Sequence, residues 1–365
     1  MHPVRVVHDD VDAADPSNAD LLHTIIPERR DKPGCSSPKT ARPKRKGLTR
    51  NMTADNRIGW LGTGRMGTAM AARLISDGTA LTVWNRTTAK TASLVELGAS
   101  RADTVRALGH CDTVFVTVMS SPDLRAVMLG ADGLLGGQPA PRVVVNCSTV
   151  SLDAAVEVAA EAARHDVGFL SAPISGNPDA VTAGHASIVA SGPAEVFEAA
   201  RPYLEAIAAS VTYAGADQEA LLIKLAHNLL VGTITEALAE VTTLAEKGGV
   251  AASGFLDFID GSVLGSKLID AKGQAIRTRD YTPTFTTADM RKDFDLGLAA
   301  ARALEVPLPV VATTHQLLQT AIGHGYGDAD YATLYEIAAR AAALPDERHR
   351  SDHPAASKHE GGTSQ

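Results

Sequence analysis

The hexapeptide Gly62-Thr63-Gly64-Arg65-Met66-Gly67 is a G-x-G-x-x-G motif. It follows a short apolar run, Arg57–Leu61, and opens a stretch from Thr68 to Ser76 in which Met70, Leu74 and Ile75 recur at helical spacing. In that setting each glycine has a task. Gly62 permits the tight turn, Gly64 lets backbone approach a pyrophosphate, and Gly67 lets helix and strand pack closely. The N–H groups and dipole at the helix start then favour an anion. A glycine-rich turn alone is a common structural device. The agreement of strand, turn and helix points to a bound dinucleotide.

The next strand ends Val83-Trp84-Asn85-Arg86-Thr87. An acidic residue here takes a ribose 2′-OH and repels a 2′-phosphate. Asn85 is neutral and Arg86 cationic. With Thr87 and Thr88 they supply charge-assisted and neutral donors for a 2′-phosphate, against the bland reading of an exposed arginine at a strand end. The expected cofactor is NADP, with NAD possible.

Two further groups carry donors or a proton. Ser171-Ala172-Pro173-Ile174-Ser175-Gly176-Asn177 reads as a small-residue loop after a strand, rich in hydroxyl, amide and backbone N–H groups suited to a carboxylate. Ser148 and Thr149 add donors after another strand, at the edge where open α/β sheets collect ligands. By itself this segment also fits ordinary turn chemistry. Lys224 and Asn228 are four apart in a helical stretch and so share a face, flanked by Leu225 and Leu229. A lysine losing hydration there has its pKa lowered towards neutrality and can exchange a proton. Most helix lysines are simply solvated.

The elements that must position these groups alternate from residue 57 to about 215. Strands are expected at 57–61, 81–84, 113–118, 143–146, 168–170, 186–190 and 211–213. Helices are expected at 68–76, 89–97 and 152–164. The nearly continuous apolar run Val114-Phe115-Val116 suits a strand buried on both faces. This rhythm predicts an α/β fold with an open, doubly wound sheet of Rossmann type. From Gln218 to Lys247 there is no proline and one glycine. Leu222, Leu225, Leu229 and Leu230 mark one long helix of about 45 Å. Shorter helical stretches follow at 253–260, 265–273, 287–303, 308–323 and 331–343. The expected organisation is a loose extension over 1–56, a dinucleotide domain over 57–216, an all-helical domain over 217–345 joined by the long helix, and a loose tail over 346–365.

The chain has 365 residues, 45% of them hydrophobic and 21% charged, with a formal charge of −8. That fits a globular protein with two domains and argues against a nucleic-acid partner. No uncharged apolar stretch reaches the ~18 residues of a membrane span. Cys35, Cys111 and Cys147 lack metal-ligand spacing, so no metal site is expected, and a reducing cytoplasm fits them. Residues 29–50 hold nine Lys or Arg and one Asp, interrupted by Pro33, Pro38 and Pro43. They read as disordered extension rather than a targeting segment, with Met52 as an alternative start.

Taken in order, these segments resemble the β-hydroxyacid dehydrogenase family, which includes 3-hydroxyisobutyrate dehydrogenases and semialdehyde and glyoxylate reductases. The resemblance runs from about 57 to 343. It rests on the glycine motif, Val118-Met119-Ser120-Ser121-Pro122, Asn146-Cys147-Ser148-Thr149, Ala172 to Asn177 with Gly184 and Gly192, Lys224-x-x-x-Asn228, and Phe285 with Lys292-Asp293. It implies Lys224 as the catalytic lysine and Asn228 as its substrate-positioning partner. It implies Ser148 or Thr149, with Ser175, Gly176 and Asn177, as carboxylate and substrate contacts, Thr149 also lying against the cofactor. Val118, Met119 and Pro122 would lie beside the nicotinamide, and Lys292 would close over cofactor and substrate. It also implies a small carboxylate substrate and a homodimer or homotetramer.

Several positions depart from the pattern. Ser171 replaces a common acidic residue, Asn177 a common second glycine, and Gly215-Ala-Asp-Gln-Glu219 a glycine-rich approach to the lysine helix. His227 beside Asn228 is closer to 6-phosphogluconate dehydrogenases. The alternatives are an enzyme related to those, an imine reductase, or a dinucleotide-binding scaffold without turnover.

Overall fold

The computed structural model describes residues 56–345, and the expectations for 1–55 and 346–365 lie outside the described residues. The chain divides into two compact units. The first runs to His227 and takes back Asp295–Leu308; the second comprises Asn228–Phe294 and the chain from Pro309.

In the first unit the described strands are β1 (Ile58–Leu61), β2 (Leu81–Trp84), β3 (Ser100–Arg101), β4 (Thr113–Val116), β5 (Val143–Asn146), β6 (Gly168–Ser171), β7 (Ile174–Ser175), β8 (Ser187–Ser191) and β9 (Ser210–Gly215). Between them lie α1 (Arg65–Ser76), α2 (Ala92–Glu96), α3 (Ser121–Leu129), α4 (Leu152–Arg164), α5 (Pro178–Thr182) and α6 (Ala194–Ile207). They form one sheet in the order β3-β2-β1-β4-β5-β6-β8-β7, with β9 beside β8. From β3 to β6 every pairing is parallel.

Every residue of β1, β4 and β5 is buried, because both sheet faces are covered. On one face Trp60 stacks on Phe115 at 5.1 Å between ring centroids. Met70 and Leu74 of α1 and Phe197 and Leu204 of α6 belong to the same core. On the other face Leu61, Val114 and Val116 pack with Leu124 and Met128 of α3 and Val158 of α4. Each such buried side chain contributes about 1.5–3 kcal/mol.

The doubly wound pattern stops at β6. Strand β8 pairs antiparallel with β6 and β7, then parallel with β9. The chain between β7 and β8 is too short for an ordinary parallel crossover, whereas antiparallel pairing tolerates it. The segment read as a loop from Ser171 to Asn177 therefore contains the end of β6 and all of β7. The helix expected over 89–97 begins as a 3₁₀ turn, Thr88–Thr91, before α2. The sequence reading has no counterpart for β3, α3, α5 or α6; α6 carries Pro202 in its interior, which masks its helical pattern.

α7 (Glu219–Lys247) is 29 residues long, and the compact units divide within it. By length and composition it would suffice to cross a membrane, yet 44% of its most apolar window is buried inside the protein. Its first residues, Leu221 and Leu225, join the core of the first unit. It is followed by α8 (Ala252–Asp260), α9 (Lys267–Thr278), α11 (Pro309–Gly323) and α12 (Leu334–Ala341) in the second unit, and by α10 (Thr287–Ala303), within which the units divide again after Phe294. Gly232 is explained here: a Cβ would lie 2.5 Å from the Phe294 ring, so only glycine lets α7 and α10 approach. Asp330, itself buried, accepts hydrogen bonds from the Lys272 ammonium at 2.7 Å, from Thr284 N–H and hydroxyl, and from Ala332 N–H. This fixes the segment leading into α10.

Candidate functional site

The turn after β1 is built as a cradle. Gly62 has φ +94°, and a Cβ there would sit 2.0 Å from the Thr117 carbonyl oxygen. At Gly67 a Cβ would come within 2.1 Å of the Gly62 oxygen, which also accepts Trp60 Nε1–H at 3.1 Å. Gly64 differs: a Cβ would meet nothing within 4 Å, so the protein's own packing does not demand glycine there. It is the N-cap of α1, and no side chain caps that helix. A helix start without a side-chain cap, beside an open glycine, fits a dinucleotide pyrophosphate.

The end of β2 holds this turn in place. Asn85 Oδ1 accepts Thr63 N–H at 2.9 Å, and its Nδ2 donates to the Thr87 carbonyl. Thr63 is buried and its hydroxyl donates to Lys90 O. Arg86 lies outward, its side chain 83% exposed, and donates to Asp123 Oδ1 at 3.0 Å. Arg65 is exposed and Met66 half-buried.

The carboxyl ends of β4 and β5 lie on the same sheet edge. Met119 is 61% exposed and Val118 half-buried. Ser120 caps α3, with Pro122 exposed in its first turn. Thr149 is half-buried. Ser148 also has a role within the sheet. It is buried, its Oγ accepts Val118 N–H at 2.8 Å, and it lies 3.4 Å from the Val116 carbonyl oxygen. It ties β4 to β5, and Asn146 Oδ1 supports it by accepting Ser148 N–H.

Farther along the edge, Ser171 is buried and donates to Gln218 Oε1 at 2.8 Å, which anchors the entry to α7. Ser191 does the same by accepting Ala220 N–H. Gly176 has φ +138°. Asn177 Oδ1 accepts Ala180 N–H at 2.8 Å and caps α5. Ser175 Oγ lies 3.2 Å from His227 Nε2. Sequence reading registered His227 only as a departure; its pairing with Ser175 places it among the site candidates.

On α7 the Lys224 side chain is half-buried, between the buried Leu221 and Leu225. One turn on, in the second unit, Asn228 is buried and its Nδ2 donates to Asp293 Oδ2 at 2.5 Å. The Lys292 ammonium stands 3.1 Å from the other carboxylate oxygen. The structure thus gathers the glycine turn, Asn85–Thr87, Val118–Pro122 and Ser148–Thr149 along one edge of the first unit. It pairs Ser175 with His227 there, and Asn228 with Lys292 through Asp293 in the second. Asp123 has no role in the sequence reading, because no motif marks it; Asp293 enters there only as the neighbour of Lys292, and its bond to Asn228 comes from the structure.

Comparison with known proteins supports the fold. Residues 57–215 match the family described as the NAD binding domain of 6-phosphogluconate dehydrogenase. Residues 219–338 match the NAD-binding family of NADP-dependent 3-hydroxyisobutyrate dehydrogenase. The chain is 32% identical over 281 residues to the uncharacterized oxidoreductase YfjR of Bacillus subtilis, covering 76% of this chain and 98% of that one. It is 31% identical over 285 residues to a probable 3-hydroxyisobutyrate dehydrogenase-like protein of Arabidopsis thaliana, covering 78% and 94%. The crystal structure of a 3-hydroxyisobutyrate dehydrogenase from Salmonella typhimurium superposes with a TM-score of 0.71 at 27% identity, covering 78% of this chain and all of that one. The chain belongs to the β-hydroxyacid dehydrogenase family and is an NAD(P)-dependent oxidoreductase acting on CH–OH groups.

Proposed function

We propose that the protein interconverts a small 3-hydroxy acid and its semialdehyde or oxo acid, with NADP as the preferred cofactor and Lys224 as the general acid and base. The observation that carries this reading is the arrangement on α7. Lys224 precedes by one turn an Asn228 whose carboxamide is pinned to a buried carboxylate, so lysine and amide are presented by one rigid element. The nicotinamide, when bound, supplies or accepts the hydride. Lys224 Nζ holds or gives up the substrate hydroxyl proton, a contribution of about 10²–10⁴ in rate. Asn228 orients the hydroxyl-bearing carbon. Ser148 or Thr149, Ser175 and the Gly176/Asn177 backbone hold the carboxylate, and His227 lies within hydrogen-bond reach of the Ser175 hydroxyl. Fixing both ends of a small acid is worth as much as the proton transfer, because it removes rotational freedom before reaction.

NADP preference is supported by Arg86 and by the neutral Asn85 at the end of β2. With NADPH the expected direction is reduction. Exposed Leu230, Val241 and Leu244 on α7 support a homo-oligomer, which light scattering tests. The free, buried thiols of Cys111 and Cys147 suit a cytoplasmic protein.

A panel of semialdehydes, 2-oxo acids, 6-phosphogluconate and cyclic imines, followed at the nicotinamide absorbance, tests the substrate class. Lys224→Ala should abolish turnover of the best substrate while leaving NADPH affinity within about twofold. Turnover by the variant near the wild-type rate would assign the proton transfer to another group.

A further inference from the structure

We infer that Asp123 is a specificity-determining residue that competes with the cofactor's 2′-phosphate for Arg86. The inference rests on the reading of Arg86 as the phosphate ligand. Strands β2 and β4 lie on opposite sides of β1. Arg86 follows β2, and Asp123 lies in the first turn of α3, which follows β4. Their ion pair therefore spans the carboxyl end of β1, where the glycine turn begins.

The two partners are not equally held. Asp123 is locked by Ser120, whose hydroxyl donates to Asp123 Oδ2 at 2.6 Å and accepts Asp123 N–H at 3.2 Å. Arg86 is 83% exposed and is held by Asp123 through one guanidinium nitrogen, Nη1. The arginine is the mobile member. A fork-shaped guanidinium binds phosphate best through two parallel N–H bonds. With Nη1 committed to Asp123, the guanidinium must release the carboxylate or meet the phosphate along its remaining edge. The fixed negative charge of Asp123 also repels a phosphate and is indifferent to a ribose hydroxyl. Asp123 thus lowers affinity for the 2′-phosphorylated dinucleotide alone and narrows the gap between NADP and NAD.

Calorimetric titration of the full chain with 2′,5′-ADP and with 5′-ADP, at one ionic strength, tests this. Asp123→Asn keeps an acceptor for Ser120. It should tighten 2′,5′-ADP by about three- to fivefold, the scale of an exposed ion pair, and leave 5′-ADP within twofold. Asp123→Ser, which retains a helix-compatible hydroxyl, should give the same sign. In an Arg86→Ala background the gain should shrink. Weaker or unchanged 2′,5′-ADP binding in the Asp123 variants, or equal changes for both ligands, would overturn the inference while Arg86→Ala still costs affinity. If Arg86→Ala leaves 2′,5′-ADP binding intact, the reading of Arg86 fails and this inference goes with it.

Discussion

Asn228 and Asp293, 65 positions apart, meet inside the second unit, where the carboxamide of one donates to the carboxylate of the other at 2.5 Å. The same carboxylate faces the Lys292 ammonium at 3.1 Å. One buried acid therefore holds Asn228 by a hydrogen bond and sets a negative charge beside Lys292, two residues that the family resemblance assigns to substrate and cofactor.

Replacing that acid should act on chemistry more than on nucleotide affinity. Asp293→Ala is expected to lower kcat/KM by about 10–100-fold, the worth of a hydrogen bond to a charged group, and Asp293→Asn by less. Steady-state kinetics beside NADPH titration checks this. Equal losses in both would mean that Asp293 serves the fold alone.

The glycine turn makes two opposite forecasts. Gly62→Ala forces a Cβ onto a carbonyl oxygen at a positive φ and should destabilise by several kcal/mol, about 2 or more, in urea unfolding. Gly64→Ala meets no protein atom and should leave stability within about 0.5–1 kcal/mol. It should nonetheless weaken dinucleotide binding, since the added methyl lies on the open side of the cradle.

Glu236 on α7 is buried, and its Oε2 has no hydrogen-bond partner among the described residues. Burial, helped by the charge of Glu240, pushes its pKa up to about 7. The folded state thus holds a proton that the unfolded chain releases at lower pH. Its presence costs nothing below the ordinary carboxylate range. The cost grows as pH rises from about 4.5 to about 7 and is constant above that. Glu236→Gln should be near neutral for stability at pH 4 and stabilising by roughly 1–3 kcal/mol at pH 8. Urea unfolding of both proteins at the two pH values measures it; equal stabilities at pH 8 would refute the assignment.

Lys272 and Asp330 form a buried pair, with the ammonium also 3.9 Å from the Tyr331 ring centroid. Burial lowers the Lys272 pKa, and Asp330 offsets part of that. Asp330→Ala strands the ammonium and should destabilise by about 3–5 kcal/mol. Lys272→Met should cost less, because Asp330 keeps its donors from Thr284 and Ala332. Chemical denaturation of the two variants, compared side by side, decides the order.

The groups with a local signature were readable in the chain itself. The glycine motif needs only its own strand and helix, and the buried strands announce themselves by unbroken apolar runs. Lys224 and Asn228 share a face by helical spacing alone. The long helix over 219–247 is legible as an uninterrupted stretch.

What tertiary structure alone decided is partnership. Nothing in the periodicity around Arg86 names Asp123, nothing around Ser175 names His227, and nothing around Asn228 names Asp293. Ser148 and Asn177 show a second kind of partnership that spacing does not display: their side-chain oxygens accept backbone N–H groups at a strand end and a helix start. The antiparallel end of the sheet was hidden for a related reason, since pairing direction depends on where a short connection can bring the chain back. Local sequence determines which element forms and which face it buries. Which side chains meet across tens of residues depends on the packing of those elements, and a pattern confined to one of them cannot carry that information.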